Sequence, residues 1–128
     1  MKLLVDTCTF LWSNTDPVKL SPLARQLYLD PDNDLYLSAI SAWEIAVKHM
    51  AGRLSLPEPA AQYVPSRRTA NGIQTLELDE EAVLQLPKLP PIHGDPFDRM
   101  LICQAIVNGL AILTPDEWIM QYPVRVLW

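Results

Sequence analysis

The apolar runs of this chain are short, and each stops at or carries a carboxylate: LLVDT near the start, then SAISAWEIAVK, HGDPFDRMLICQA and AILTPDEW. A run of three or four apolar residues has the length of a buried strand, and an ionised acid at its end must leave the core, because a charge is costly to bury without a partner. If the strands that lead to Asp6 and Asp116 lie together in a parallel sheet, both acids emerge at one carboxyl edge, where open α/β folds place their ligands. Glu44 and Asp98 belong to helical segments that would flank that edge. Four negative charges share a pocket cheaply only around a cation, and hard oxygen donors of this kind suit Mg²⁺ or Mn²⁺. The constellation predicts metal-assisted chemistry on phosphate.

Punctuation along the chain separates strand from helix patterns. Lys2 to Val5 reads as a buried strand, and Thr7 to Trp12 as the start of a helix or a tight turn. Ser21 and Pro22 supply the cap and first position of a helix over Leu23 to Leu29, and Pro31 to Asp34 a turn. Leu35 to Ser38 alternates like a strand; Ser38 or Ser41 then opens a helix over Ala42 to Met50 that Gly52 closes. From Leu56 to Gly72 the prolines 57, 59 and 65 predict a broken helical excursion. Ile73 to Leu78 is a strand candidate, Asp79 caps a helix over Glu80 to Leu86, and Pro87, Pro90 and Pro91 stiffen the next connection. Asp95 and Pro96 start a helix that runs to Val107 and stops at Gly109. Ala111 to Thr114 is a strand, Asp116 opens a short helix, and Val124 to Leu127 closes as the last strand. Strands alternating with helices predict one three-layer α/β domain over residues 1–128, a central, mainly parallel sheet flanked by helices.

Composition narrows the class. With 128 residues, 49% of them hydrophobic, the chain can bury a real core, and no run is long enough to span a bilayer or to serve as a signal peptide, so a cytoplasmic location is expected. Two cysteines and two histidines exclude a disulfide framework and a thiolate or imidazole zinc cluster; Cys8 and Cys103 read as core residues. A net charge of −5 argues against a sequence-independent coat for nucleic acid. It does not argue against a nuclease, since a cation in the acidic pocket reverses the local sign where a phosphate must approach.

Taken together, LLVDT, WEIAVK with its central acid, DPFDR leading into an apolar helix, and AILTPDEW resemble a PIN domain, and more narrowly the VapC-type toxins of toxin–antitoxin pairs. The resemblance covers essentially the whole chain, including LSP near residue 21 and GRLSLP after the Glu44 helix. It implies a metal-dependent ribonuclease, dimeric, held inactive by a cognate antitoxin. It also implies Asp6, Glu44, Asp98 and Asp116 as the four acids, with Thr7 and Thr114 as polar neighbours of the metal site. The chain departs from the common pattern at Gly94, where a basic residue often precedes DPFDR, and near Tyr63 to Pro65.

Each acid also has a structural explanation. Asp6 would cap the turn after its strand, and Glu44 has Lys48 at i+4, the favourable orientation for a helical ion pair. Asp95 is best explained as the cap of the helix that Pro96 begins, and remains only a secondary metal candidate; Asp98, one turn on, has no such explanation. Asp116 can cap and still offer one oxygen to a metal. Arg99 is expected to neutralise Asp95 or Asp98 in preference to binding phosphate, Arg67 and Arg68 to be solvated, His93 to be a loop residue outside the catalytic set, and the four tryptophans to be core or interface. Trp12, Leu27, Tyr28, Leu29, Leu127 and Trp128 exceed what a small core is expected to absorb and point to a protein partner. Two other classes fit less well. A receiver domain accepting a phosphoryl group on Asp would need paired acids after the first strand and an acceptor Asp after a central one, and Leu35 to Ser38 ends without it; a non-catalytic binding module of the same fold would not need all four acids.

Overall fold

The alternation of short apolar runs with capped segments builds five parallel strands and six α-helices in a computed structural model that describes residues 1–128. The strands are β1 (Lys2–Val5), β2 (Asp34–Ser38), β3 (Gln74–Leu76), β4 (Ala111–Leu113) and β5 (Val126–Leu127), in the order β3-β2-β1-β4-β5. The helices are α1 (Thr7–Thr15), α2 (Pro22–Leu29), α3 (Ala39–Met50), α4 (Ala60–Ala70), α5 (Glu80–Leu84) and α6 (Pro96–Asn108). Strand side chains alternate between two apolar faces: Leu3, Val5, Leu35, Leu37, Ala111 and Leu113 join one buried cluster, Leu4 and Ile112 the other. Phe10, Ala24, Ile45 and Tyr63, from α1 to α4, fill the first; Leu101, Ile102 and Ala105 of α6 dominate the second. This is the three-layer α/β arrangement expected, with every strand pair parallel.

Strand order reverses direction at β1, which pairs with β2 on one side and β4 on the other. Val5 lies in register with Leu37 and Leu113, so Asp6, Ser38 and Thr114 are the residues that leave the sheet together at its carboxyl edge. Helices start at once behind two of them: Asp6 caps α1 and Ser38 caps α3, its hydroxyl accepting from the Ile40 N–H at 2.9 Å. Ser38 also donates to Gln104 Oε1, whose amide nitrogen reaches the Glu77 carbonyl at 3.2 Å, so a buried polar bridge ties β2 and β3 to α6.

Three sequence expectations are corrected. The helix behind β2 begins at Ala39, three residues early, because Ser38 provides the cap and Ser41 lies buried inside the helix. Pro65 does not break α4, which runs through it from Ala60 to Ala70 because Tyr63 and Val64 bury against the core. Asp116 opens no α-helix; its side chain accepts from the Trp118 N–H at 2.8 Å, and a single 3₁₀ turn, Ile119–Gln121, follows. The tail set is also absorbed further than expected: Tyr28 is buried, and Trp12, Leu27, Leu127 and Trp128 pack against the core, leaving Leu29 exposed. No helix is long and apolar enough to cross a membrane.

Candidate active site

Asp6 ends β1 at the point where strand order reverses, and it is 5% exposed. One carboxylate oxygen accepts the Thr9 N–H at 2.9 Å, the capping role; the other accepts the Thr114 hydroxyl. Thr114 in turn accepts the Asp116 N–H at 3.1 Å, so a single hydroxyl couples the acid of β1 to the acid beyond β4. Burial pushes the Asp6 carboxyl up, opposed by the hydrogen bonds from Thr114 and Thr9. Cys8 lies with its sulfur 3.4 Å from both Asp6 oxygens, and burial, then the charge of Asp6, raise its thiol. It is a partly exposed neighbour of the site and no part of the core, whereas Cys103 is fully buried as expected.

Glu44 enters from α3, 6% exposed. Its Oε2 pairs with Lys48 at 2.5 Å, the i+4 ion pair the spacing predicts, but as a buried acid bound to a half-exposed lysine and not as a surface pair. Its Oε1 accepts the Thr7 hydroxyl at 2.7 Å, and Thr7 also meets the Ser41 hydroxyl at 2.9 Å. A cleft of about 250 Å³ opens beside this pair, lined by Thr7, Cys8, Leu11, Glu44, Lys48 and Arg53 among others, and Arg53 has no anionic partner there.

Asp95 caps α6 as expected, one oxygen accepting the N–H groups of Phe97 and Asp98 at 2.9 and 3.1 Å; its second oxygen has no protein donor. Asp98 sits one turn on, with Oδ2 3.2 Å from His93 Nε2 and Oδ1 free of any protein partner. Burial raises its carboxyl to about 6 against the His93 hydrogen bond, and the charges of Asp95, Asp116 and Glu44 push the same way as burial. Asp6, Thr114 and Asp116 are joined by hydrogen bonds at the carboxyl edge of the sheet, and Asp98 stands on the first turn of α6. The donor chemistry fits a hard divalent cation. As the side chains stand, no three acids, cysteines or histidines converge on one point, because each acid is held by its own partner and the charges repel.

A PIN domain model matches residues 3–123. The chain belongs to the PIN domain family. Ribonuclease VapC22 of Mycobacterium tuberculosis is 27% identical over 116 residues, 90% of this chain and 87% of that protein. Ribonuclease VapC16 of the same organism is 46% identical over 55 residues, 43% of this chain and 39% of that protein. In three dimensions the chain superposes on a chain of the crystal structure of VapBC2 from Rickettsia felis, bound to a promoter DNA fragment, with a TM-score of 0.74 at 11% identity, covering 99% of this chain and 98% of that one.

Within this PIN domain Arg99 is not where the sequence puts it, and His93, a loop residue as expected, makes contacts that the sequence does not predict. Arg99 neutralises neither Asp95 nor Asp98: its Nη1 donates to the Pro90 carbonyl at 2.9 Å and to the Tyr122 hydroxyl at 3.0 Å, clamping the proline-rich loop. His93 is not a bystander of that loop, since it holds Asp98 and its Nδ1 lies 2.7 Å from the Tyr122 hydroxyl. The signal for His93 was its place five residues before Asp98; Tyr122 lies 29 residues further on in irregular chain, where no periodicity marks it. Arg67 stacks on the Tyr63 ring at 4.8 Å and pairs with Glu58, apart from the acids. Trp43 and Trp118 are half-exposed, edge-on to Phe97 and stacked on His93 respectively, so neither is core.

Proposed function

We propose that this chain is a VapC-type toxin, an endoribonuclease that hydrolyses RNA phosphodiesters with Mg²⁺ or Mn²⁺ and is neutralised by a cognate antitoxin. The observation that carries the reading is that Asp6 leaves β1 where the strand order reverses and is tied through the Thr114 hydroxyl to Asp116 beyond β4, in a chain of the PIN family. Asp6, Asp98 and Asp116 would hold the cation, with Asp95 as a reserve oxygen donor, and Glu44 would join them through water or orient the attacking water. Once bound, a divalent cation supplies the charge that lowers the pKa of water and stabilises negative charge on the phosphoryl oxygens. Thr114 keeps Asp6 and Asp116 in register across the switch point, and Thr7 fixes the rotamer of Glu44. Arg53, which has no anionic partner, lines the adjoining cleft beside the Lys48–Glu44 pair and offers a positive charge to the polyanionic chain of a substrate. Burial and the charge of Asp6 hold the proton of the Cys8 thiol more tightly, which disfavours it as a nucleophile.

An antitoxin partner accompanies the reading, supported by solved VapBC structures that share the fold, and a homodimer and a cytoplasmic location accompany it as what the family resemblance implies. Single-stranded or looped RNA is the substrate class that the family resemblance implies, in keeping with the general preference of sequence-specific RNA recognition for exposed bases. The test is cleavage of defined RNAs by the parent, Asp6→Asn and Asp98→Asn proteins with Mg²⁺, Mn²⁺ or a chelator. Loss of at least 100-fold in both variants and in chelator is expected. Cleavage at the parent rate by either variant overturns the assignment, and protection of cells by the product of an adjoining small reading frame tests the toxin part.

A further inference from the structure

The Tyr122 hydroxyl stands at the centre of a donor-rich cluster. The backbone N–H of His93 donates to it at 3.0 Å, the Arg99 guanidinium donates to it at 3.0 Å, and His93 Nδ1 lies 2.7 Å away. A phenol oxygen has two lone pairs and one hydrogen. The two N–H donors fill the lone pairs, and a third N–H at 2.7 Å would meet an oxygen with nothing left to accept it. The phenol must therefore donate to Nδ1, the shorter of its two outlets, since the other, the His93 carbonyl, is 3.4 Å away. Nδ1 is the acceptor, and the ring proton sits on Nε2, which faces Asp98 Oδ2 at 3.2 Å.

One imidazole N–H thus holds one oxygen of Asp98 and leaves Oδ1 without a protein partner. The ring itself is fixed from the side by Trp118, parallel to it within 4° at 5.7 Å between centroids. The Trp118 backbone N–H donates to Asp116 Oδ1 at 2.8 Å, which leaves the second Asp116 oxygen without a protein partner. The same small cluster therefore orients an acid from α6 and an acid from the segment after β4, and Arg99 locks it to the proline-rich loop through the Pro90 carbonyl.

We propose that His93, fixed as the Nε2–H tautomer by Tyr122 and backed by Trp118, is a positioning residue that presents Asp98, and with it Asp116, to a divalent cation. The proposal rests on the metal-dependent reading of the acids. Orienting partners of metal-ligating carboxylates typically carry 10- to 100-fold in metal affinity. Deletion of the ring should cost that much, and glutamine, whose side-chain amide can offer an N–H near the position of Nε2, should restore most of it.

The experiment has two independent readouts. Long-range ¹H–¹⁵N correlation of the histidine ring in the metal-free protein reports the tautomer: Nε2–H is expected for the parent, and a shift toward Nδ1–H in Tyr122→Phe, where the donor to Nδ1 is gone. Mn²⁺ titration by calorimetry reports affinity: about 10- to 100-fold weaker binding by His93→Ala, and recovery to within a few-fold of the parent by His93→Gln, are expected. An Nδ1–H ring in the parent overturns the proposal, as does parent-like Mn²⁺ affinity in His93→Ala or a His93→Gln protein no better than His93→Ala. Should His93→Ala fail to fold, Tyr122→Phe must weaken Mn²⁺ binding in the same direction, and parent-like binding by it overturns the proposal. A parent protein that binds no Mn²⁺ overturns the metal reading, a result distinct from the tautomer.

Discussion

Burial lifts the Asp98 carboxyl from its ordinary value of 3.8 to about 6, and the nearby Asp95, Asp116 and Glu44 add to that rise against the His93 hydrogen bond. In the metal-free protein the fold therefore holds this proton more tightly than the unfolded chain does. Its contribution to stability is fully present below 3.8 and is lost as pH rises through about 6. Burial moves Asp6 in the same direction. Thermal melting of metal-free protein should fall as pH climbs from 4 to 7, and Asp98→Asn should flatten the slope; an identical slope in that variant would assign the effect elsewhere. A cation competes for the same lone pairs, so Mn²⁺ affinity should drop by up to about tenfold per pH unit below about 6, measurable by titration at pH 5, 6 and 7.

At the level of elements, α4 shows how burial overrides local chemistry. A proline inside a helix costs roughly 3 kcal/mol, and burying a large apolar side chain returns roughly 1.5–3 kcal/mol, so Tyr63 and Val64 together outweigh Pro65. Ala61, whose carbonyl loses its partner at Pro65, is exposed and can bond water instead. Pro65→Ala, which restores that hydrogen bond, should then raise stability by up to about 3 kcal/mol in denaturant unfolding. Tyr63 carries a buried hydroxyl with no partner, so Tyr63→Phe is expected to be neutral or stabilising by up to about 1–2 kcal/mol; a clear loss would point to a bound water. The remaining elements were legible because their signals are local: three apolar residues before Asp6, a serine before Pro22, an aspartate before Pro96, a glycine at positive φ at position 109. The acids were legible for the same reason, each standing at an abrupt change from apolar to charged. The cluster of His93, Arg99, Trp118 and Tyr122 was not, because it joins two irregular segments whose contact depends on how α6 packs under β4. Arg99 was misassigned since proximity in sequence to two acids says nothing about which way a helical side chain leaves its turn.

Over the whole molecule, negative charge is gathered at one edge of the sheet, and the metal-free fold bears that repulsion. Asp116→Asn should stabilise the metal-free protein, while the rise in melting temperature that Mn²⁺ gives the parent should shrink or vanish in the variant. For the parent a rise equivalent to about 2.7 kcal/mol is expected at 100 times the dissociation constant. If both proteins gain equally, Asp116 lies outside the cation site. The order β3-β2-β1-β4-β5 has a consequence in time as well as in space. β1 can dock on β2 after about thirty residues of chain, yet the hydroxyl that meets Asp6 belongs to Thr114, 108 positions later. On a ribosome the acidic edge stays half-built through most of synthesis, with Asp6 and Glu44 in place and their counterparts not yet made. The acidic edge is thus completed last, by residues near the end of the chain.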